Sequence, residues 1–229
     1  MQTPLVSCLM PTRGNPRLVA RAIRGFQLQT WPERELVIVT SQRSSELDAL
    51  IAEDQRIRLY DTPAGLSLGD QRNLTVARAL GTFVATWDDD DCHAPARLST
   101  SMHTLLNTDA HAVFLSRLLI WIQTRKRLGL SCHGIWENTM VARRSALPAY
   151  PALQRGSDTA VRIMMEQHTK LALIDHPLLY AYCYTGENTW DEHHFLGFLN
   201  AGGQEFTGSS YHQAMAHECF ICLQPHGLH

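Results

Sequence analysis

No stretch of the 229-residue sequence approaches the roughly 18–20 consecutive apolar residues that cross a bilayer as a helix. The longest apolar segment, 112–122, is broken by Ser116 and Arg117 and runs into Arg125-Lys126-Arg127. The opening Met1-Gln2-Thr3-Pro4 carries no basic side chain, and Leu5 to Met10 is too short for the apolar core of a secretion signal. Basic excess is also missing. Lys and Arg number 20 against 22 Asp and Glu, so the net charge of −2 disfavours nucleic acid as a partner. The six cysteines are scattered at 8, 92, 132, 183, 219 and 222, without the density of a disulfide scaffold. In a chain of this size they are expected as reduced thiols, and the expected compartment is the cytoplasm. Apolar residues in 190–199 leave room for a peripheral position at the inner membrane face. Cys219-x-x-Cys222, with His212, His217 and His226, resembles half a zinc site, but no second such pair completes it. Repeats and low-complexity tracts are absent. With 45% hydrophobic residues, the chain is expected to form a single domain over 1–229.

What is present is alternation. Leu5 to Met10 reads as a buried strand, and Asn15-Pro16 as an N-cap and first helical residue. Val19, Ala22, Ile23 and Phe26 then form a helical stripe. Glu35 to Thr40 is a near-continuous apolar strand, 44–51 a short helix and 57–60 a third strand. A helix from about Asp70 to Leu80 is expected to pack through Leu74, Ala77 and Leu80, and Thr82 to Trp87 is a fourth strand. Such βαβ alternation implies a doubly wound, mostly parallel sheet. After Asn107 the pattern changes. Segments 112–122, 127–131 and 135–142 read as extended and suggest an antiparallel region added to the sheet. Ser157 is expected to cap a helix carrying Val161, Met164, Met165 and His168, and strands follow at 171–174 and 178–184. A last helix is expected over 190–199, with Asn188 a candidate cap.

The chemistry concentrates at Asp88-Asp89-Asp90-Asp91, between the end of the fourth strand and a helix opened by Pro95. Ligands of open α/β sheets bind at the carboxyl ends of strands. Four adjacent carboxylates repel one another, and a hard cation such as Mn²⁺ or Mg²⁺ would relieve that repulsion while bridging to substrate phosphates. Alternate residues of an extended segment project to one side, so Asp88 and Asp90 can face one ligand together. Arg72 lies near a helix start, where anions are favoured. Asp158, in the first turn of its helix, is a candidate general base, although an acid is favourable there in any case. His193 and His194 are candidates for diphosphate or metal contact.

Taken in order, these pieces resemble the family 2 glycosyltransferases, inverting enzymes with a GT-A fold. Leu5-Val6-Ser7-Cys8-Leu9-Met10-Pro11-Thr12 is similar to the family's opening strand and nucleotide loop. Leu68-Gly69-Asp70-Gln71-Arg72-Asn73 resembles its Gly-x-x-Arg-Asn helix start, and Phe83 through Asp91 its Asp-x-Asp-Asp motif. Glu137-Asn138-Thr139-Met140 and Arg143-Arg144 look like its acceptor-side strand, and Gly156-Ser157-Asp158-Thr159 like the segment holding its base.

The resemblance implies a Rossmann-like, mostly parallel sheet with an antiparallel acceptor-side region. About 4–107 would bind the nucleotide sugar and about 108–199 the acceptor, with 200–229 as a tail. It implies Mn²⁺ or Mg²⁺ and a nucleotide-diphospho-sugar donor, usually uridine-linked, with a saccharide or other hydroxyl acceptor that is free or lipid-linked. Pro11, Thr12, Arg13, Arg72, Asp88 and Asp89 would then bind the donor. Asp90, with Asp88 and Asp91, would hold the metal, and Asp158 would be the base. Two departures stand out: Thr40-Ser41-Gln42 replaces the acid expected after the second strand, and Ser157 replaces the Glu before the base. Competing expectations are a sugar nucleotidyltransferase and a degenerate nucleotide- or partner-binding domain.

Overall fold

A computed structural model describes residues 3–223. Its elements run β1 (Val6–Pro11), α1 (Pro16–Gln27), β2 (Arg34–Thr40), α2 (Ser45–Ile51), β3 (Ile57–Asp61), α3 (Leu68–Arg78) and β4 (Phe83–Thr86). There follow β5 (Cys92–His93), α4 (Arg97–Leu106), β6 (Ala112–Leu115), β7 (Leu119–Ile122), β8 (Arg127–Leu130) and β9 (Trp136–Arg143). The last are α5 (Ser157–His168), β10 (Leu171–Ile174), β11 (Tyr180–Tyr184), α6 (Glu192–Gly202), β12 (Gln204–Phe206) and α7 (Gly208–Met215). Among the described residues, no helix is long and apolar enough to cross a membrane.

The first four strands form the expected parallel array. β1 pairs with both β2 and β4, and β2 pairs with β3, all parallel. β1 and β2 are buried along their whole length, which is why their apolar runs do not alternate. Asn15 caps α1 by accepting from the Arg17 amide at 3.0 Å, and Leu18, Val19, Ala22, Ile23 and Phe26 are buried on its inner face. Burying each larger apolar side chain stabilises by roughly 1.5–3 kcal/mol.

The extended segments after residue 107 resolve differently from expectation. β9 inserts antiparallel between β4 and β6, completing a seven-stranded sheet of order β10-β6-β9-β4-β1-β2-β3. β7 and β8 leave that sheet and join a second one, of order β12-β8-β7-β11-β5. The break falls at Ser116-Arg117-Leu118, where a continuous apolar run crosses from one sheet to the other. The two-residue strand β5, which directly follows the four acids, pairs antiparallel with β11. The acidic turn therefore joins the end of β4 in one sheet to β5 in the other.

Three local expectations need correction. Helix α3 buries Gly69, Arg72 and Thr75, whereas Leu80 is 66% exposed and Ala77 faces outward. Its inner face is selected by close approach and by Arg72. A Cβ on Gly69 would lie 1.8 Å from the Pro151 carbonyl oxygen, so only glycine fits there. Helix α5 is capped by Gly156 at φ +72, and Ser157 is its first helical residue, fully buried. Helix α6 is capped by Asp191, which accepts from the His194 amide at 3.2 Å, leaving Asn188 free for other partners.

Candidate active site

The acidic turn is built on a buried aromatic and cationic support. Trp87 is wholly buried, stacks on His93 at 3.9 Å between centroids and meets Phe26 edge-on. Arg97, 1% exposed, donates to the Thr86 carbonyl at 2.9 Å and to His93 Nδ1 at 3.0 Å. Its guanidinium lies 5.2 Å from the Trp87 ring and 5.0 Å from that of Tyr180. Burial and the neighbouring Arg97 hold His93 well below the usual imidazole range, so it accepts as a neutral ring. This cation behind the turn was not foreseen; its only trace in the sequence is an arginine opening a helix where an acid would be expected.

Each carboxylate of the turn has a distinct partner. Asp88 faces Arg72 at 3.4 Å. Asp89 accepts from the Thr12 hydroxyl at 2.5 Å, and its carbonyl from Arg21 at 3.5 Å. Asp90 accepts from the Asn188 amide at 2.6 Å. Asp91 is 1% exposed and accepts from the Tyr180 hydroxyl and, at 2.8 Å, from the Cys183 amide. Asp88, Asp89 and Asp90 line an open cleft of about 360 Å³. Asp91 turns the other way and ties the turn to β11.

Burial pushes all four carboxyls up. Asp88 rises despite Arg72, and Asp89 is pushed up to about 6 against the Thr12 hydrogen bond. Asp90 rises well above the usual range through burial and repulsion from its three neighbours. Asp91 reaches about 7 through burial, with Tyr180 and the Cys183 amide opposing.

Opposite the turn, Arg72 Nη1 lies 3.0 Å from Asp158 and donates to the Ser157 hydroxyl at 3.3 Å. Arg72 thus bridges Asp88 at the end of β4 and Asp158 at the start of α5. Ser157, standing where an acid was expected, supplies a neutral acceptor to a guanidinium already flanked by two carboxylates. Pro11, Thr12 and Arg13 also line the cleft, at the end of β1. The loop 185–190 closes its far side. Arg13 donates to the Glu187 carbonyl at 3.3 Å and to the Thr189 hydroxyl at 3.1 Å, and Asn15 to the Glu187 carboxylate.

A second cavity of about 200 Å³ adjoins the cleft and shares Asn138, Asp158, Tyr182 and Trp190 with it. His194 lines this second cavity, stacked on Trp190 at 4.6 Å, away from the four acids. His193 is exposed and lines neither cavity. Of the residues read from sequence, the structure therefore brings Pro11, Thr12, Arg13, Arg72, Asp88, Asp89, Asp90 and Asp158 to one cleft, and leaves Asp91, His193 and His194 out of it. Asn188 was read as a helix cap and instead holds Asp90.

Among the described residues, no group of three or more His, Cys, Asp or Glu side chains is arranged to hold a metal alone. Cys219 and Cys222 are buried in the second sheet's apolar core, and His226 lies outside the described residues. Three cleft-facing carboxylates still suit a hard cation, because Mg²⁺-type ions take one or two protein carboxylates and complete their shell with water and substrate phosphate.

The fold recurs in solved structures. S. aureus TarS, solved with UDP, aligns with a TM-score of 0.64 and 12% identity over 85% of this chain and 69% of that one. The mannosyltransferase PcManGT from Pyrobaculum calidifontis, solved with GDP-Man and Mn²⁺, aligns with a TM-score of 0.57 and 14% identity over 82% of this chain and 59% of that one. An uncharacterized glycosyltransferase of Haemophilus influenzae is 26% identical over 110 residues, 46% of this chain and 44% of the relative, so the match spans less than half of that protein. The sequence model of glycosyl transferase family 2 matches residues 7–150, taking in β1, the Arg72 helix, the acidic turn and β9, and the chain belongs to that family.

Proposed function

We propose that the chain transfers a sugar from a nucleotide-diphospho-sugar, UDP-linked, to an acceptor hydroxyl with inversion of the anomeric centre, with Asp158 as general base. One observation carries this reading: Asp158 is the carboxylate that lines both cavities, the one containing the acidic turn and the smaller one beside it. A base for direct displacement must sit between donor and acceptor and reach the attacking hydroxyl. TarS was solved with UDP, which supports the choice of nucleotide.

In this reading the diphosphate lies against Asp88, Asp89 and Asp90, and Pro11, Thr12 and Arg13 flank the nucleotide. Mn²⁺ or Mg²⁺ held by Asp90 with Asp88 would neutralise charge on the leaving diphosphate. Asn188 fixes the Asp90 carboxylate in the cleft. Arg72 holds the Asp158 carboxylate at 3.0 Å, where it lines both cavities. Asp158 then accepts the proton of the acceptor hydroxyl as that oxygen attacks from the side opposite the leaving group. The protein's contribution is positioning and electrostatics, with no covalent intermediate. Asp91 acts only as an anchor, holding the turn to Tyr180 and Cys183.

The test is a thermal-shift panel of UDP, GDP, CDP and TDP, each with Mn²⁺ and with EDTA, followed by transfer assays on two variants. A ligand that binds only the folded chain raises its melting point. Mn²⁺-dependent stabilisation by UDP is expected. Asp158→Asn should keep that shift and lose transfer by about 10²–10⁴-fold, the usual worth of a general base. Asp90→Ala should lose the Mn²⁺-dependent shift. Turnover retained in Asp158→Asn would exclude it as the base.

A further inference from the structure

The smaller cavity has a composition that identifies its occupant. Its walls are largely aromatic: Trp136, Tyr182, Trp190 and Phe198 all contribute. Trp136 and Phe198 meet edge-on at 4.8 Å, and Trp190 remains 37% exposed. Its acidic and imidazole side chains are Glu137, Asp158 and His194, with no lysine or arginine in the lining. Burial holds His194 below the usual imidazole range, so it adds no positive charge near neutral pH. The nearest guanidiniums stand outside the lining but touch it, Arg72 lying 3.0 Å from Asp158. Arg155 lies 5.2 Å from the Trp190 ring and lines the larger cleft, and Arg162 sits 3.9 Å from Glu137 and pairs with Glu166 at 2.7 Å. Glu137 also accepts from the Thr159 hydroxyl, so its orientation is set.

A phosphate or carboxylate in this cavity would meet two carboxylates, which already take up Arg72 and Arg162, and no cation in the lining itself, and desolvating an anion without a partner is costly. A pyranose ring presents apolar C–H faces and neutral hydroxyl edges. The faces gain dispersion and burial against aromatic walls, and the edges find acceptors in Glu137 and Asn138. Size agrees. Drug-sized ligands occupy roughly 300–1,000 Å³, whereas about 200 Å³ accommodates one ring.

We propose that the acceptor is a neutral saccharide whose terminal ring seats in this aromatic cavity, presenting one hydroxyl to Asp158. The inference rests on the transferase reading above and adds the chemical class of the acceptor.

The experiment uses the whole chain, with Mn²⁺ and UDP-sugars as donors. Transfer is measured by product mass to methyl glucoside, methyl N-acetylglucosaminide, methyl glucuronide and glycerol phosphate. At least one neutral glycoside should be used with a kcat/KM ten-fold or more above the glucuronide and the phosphate. Phe198→Ala, which lies outside the donor cleft, should raise the acceptor KM about ten-fold while leaving the UDP-induced melting shift unchanged. That same shift reports whether the variant folds, and Phe198→Leu replaces it if it does not. Glu137→Gln should narrow the gap between glucoside and glucuronide.

Equal or better use of glucuronide or phosphate overturns the proposal. So does an unchanged acceptor KM in the Phe198 variant, or donor hydrolysis without transfer to any neutral glycoside. Absence of any nucleotide-induced shift would instead overturn the transferase reading itself.

Discussion

Replacing Arg72 with methionine removes the bridge between the two sides of the cleft while keeping most of the side chain's length. Arg72 is 5% exposed and lies 3.0 Å from Asp158 and 3.4 Å from Asp88. At an effective dielectric near 20, each contact represents about 5 kcal/mol of gross attraction, most of it cancelled by desolvation. Removing one partner of a fully buried pair costs about 3–5 kcal/mol. Here the carboxylates keep 20% and 24% exposure and recover some hydration, which reduces the expected loss to about 2–3 kcal/mol.

At roughly 2–4 °C per kcal/mol for a chain of this size, the melting point should fall by about 5–10 °C. The loss should also depend on pH. Burial already raises the Asp88 carboxyl, and Arg72 is the main cation opposing that rise. Without Arg72 it rises further. A carboxyl whose folded-state value is raised destabilises as pH climbs through that value, because the unfolded chain has already released the proton. Arg72→Met should therefore lose more stability at pH 8 than at pH 5. Differential scanning fluorimetry at both pH values, without nucleotide, decides it. An equal loss at both, or a loss under about 1 °C at pH 8 against the few-degree scale above, would refute the electrostatic account.

The nucleotide-free wild type should lose stability as pH rises from about 5 to 7, since Asp89 and Asp91 titrate near 6 and 7 when folded and near 3.8 when unfolded. Each uncompensated proton contributes up to about 1.4 kcal/mol per pH unit, and a melting point that climbs over this range would contradict it. Asp91→Ala strands the Tyr180 hydroxyl and the Cys183 amide, so it should cost about 2–5 kcal/mol in denaturant melts. Asp88→Ala, in the open cleft, should cost less stability than that. Gly69→Ala forces a Cβ against the Pro151 carbonyl and should lower stability by about 1–3 kcal/mol by chemical denaturation; a neutral result would show that the 150–153 segment yields.

The parallel half of the fold was legible because its signals are local. Buried strands such as Leu36 to Val39 read as unbroken apolar runs, and Asn15-Pro16 marks a helix start by its own chemistry. The acidic turn was legible because four carboxylates at a strand end have few uses. Helix α3 was misread because periodicity counts apolar residues, while its inner face is chosen by a glycine contact and a buried guanidinium. The separate roles of Asp90 and Asp91 were not legible for a related reason. Their partners, Asn188 and Tyr180, lie 98 and 89 residues away, and nothing local distinguishes adjacent aspartates. The second sheet was invisible for the same cause: the two-residue β5 has no pattern of its own and exists only by pairing with β11.

That distance also has a consequence in time. The carboxylates are made early, but the chain that fixes them arrives late. Tyr180 follows Asp91 by 89 residues, which at roughly 5–20 residues per second is on the order of 5–20 s of synthesis. During that interval β1, β2 and β3 can already pair, their partners being 28 and 21 residues apart, and β4 can join β1 across 77 residues. Until Tyr180 and Cys183 have been made, the acidic turn lacks the partners that fix its far end. The far end of the turn gains its anchor only once β11 is available to draw Asp91 inward.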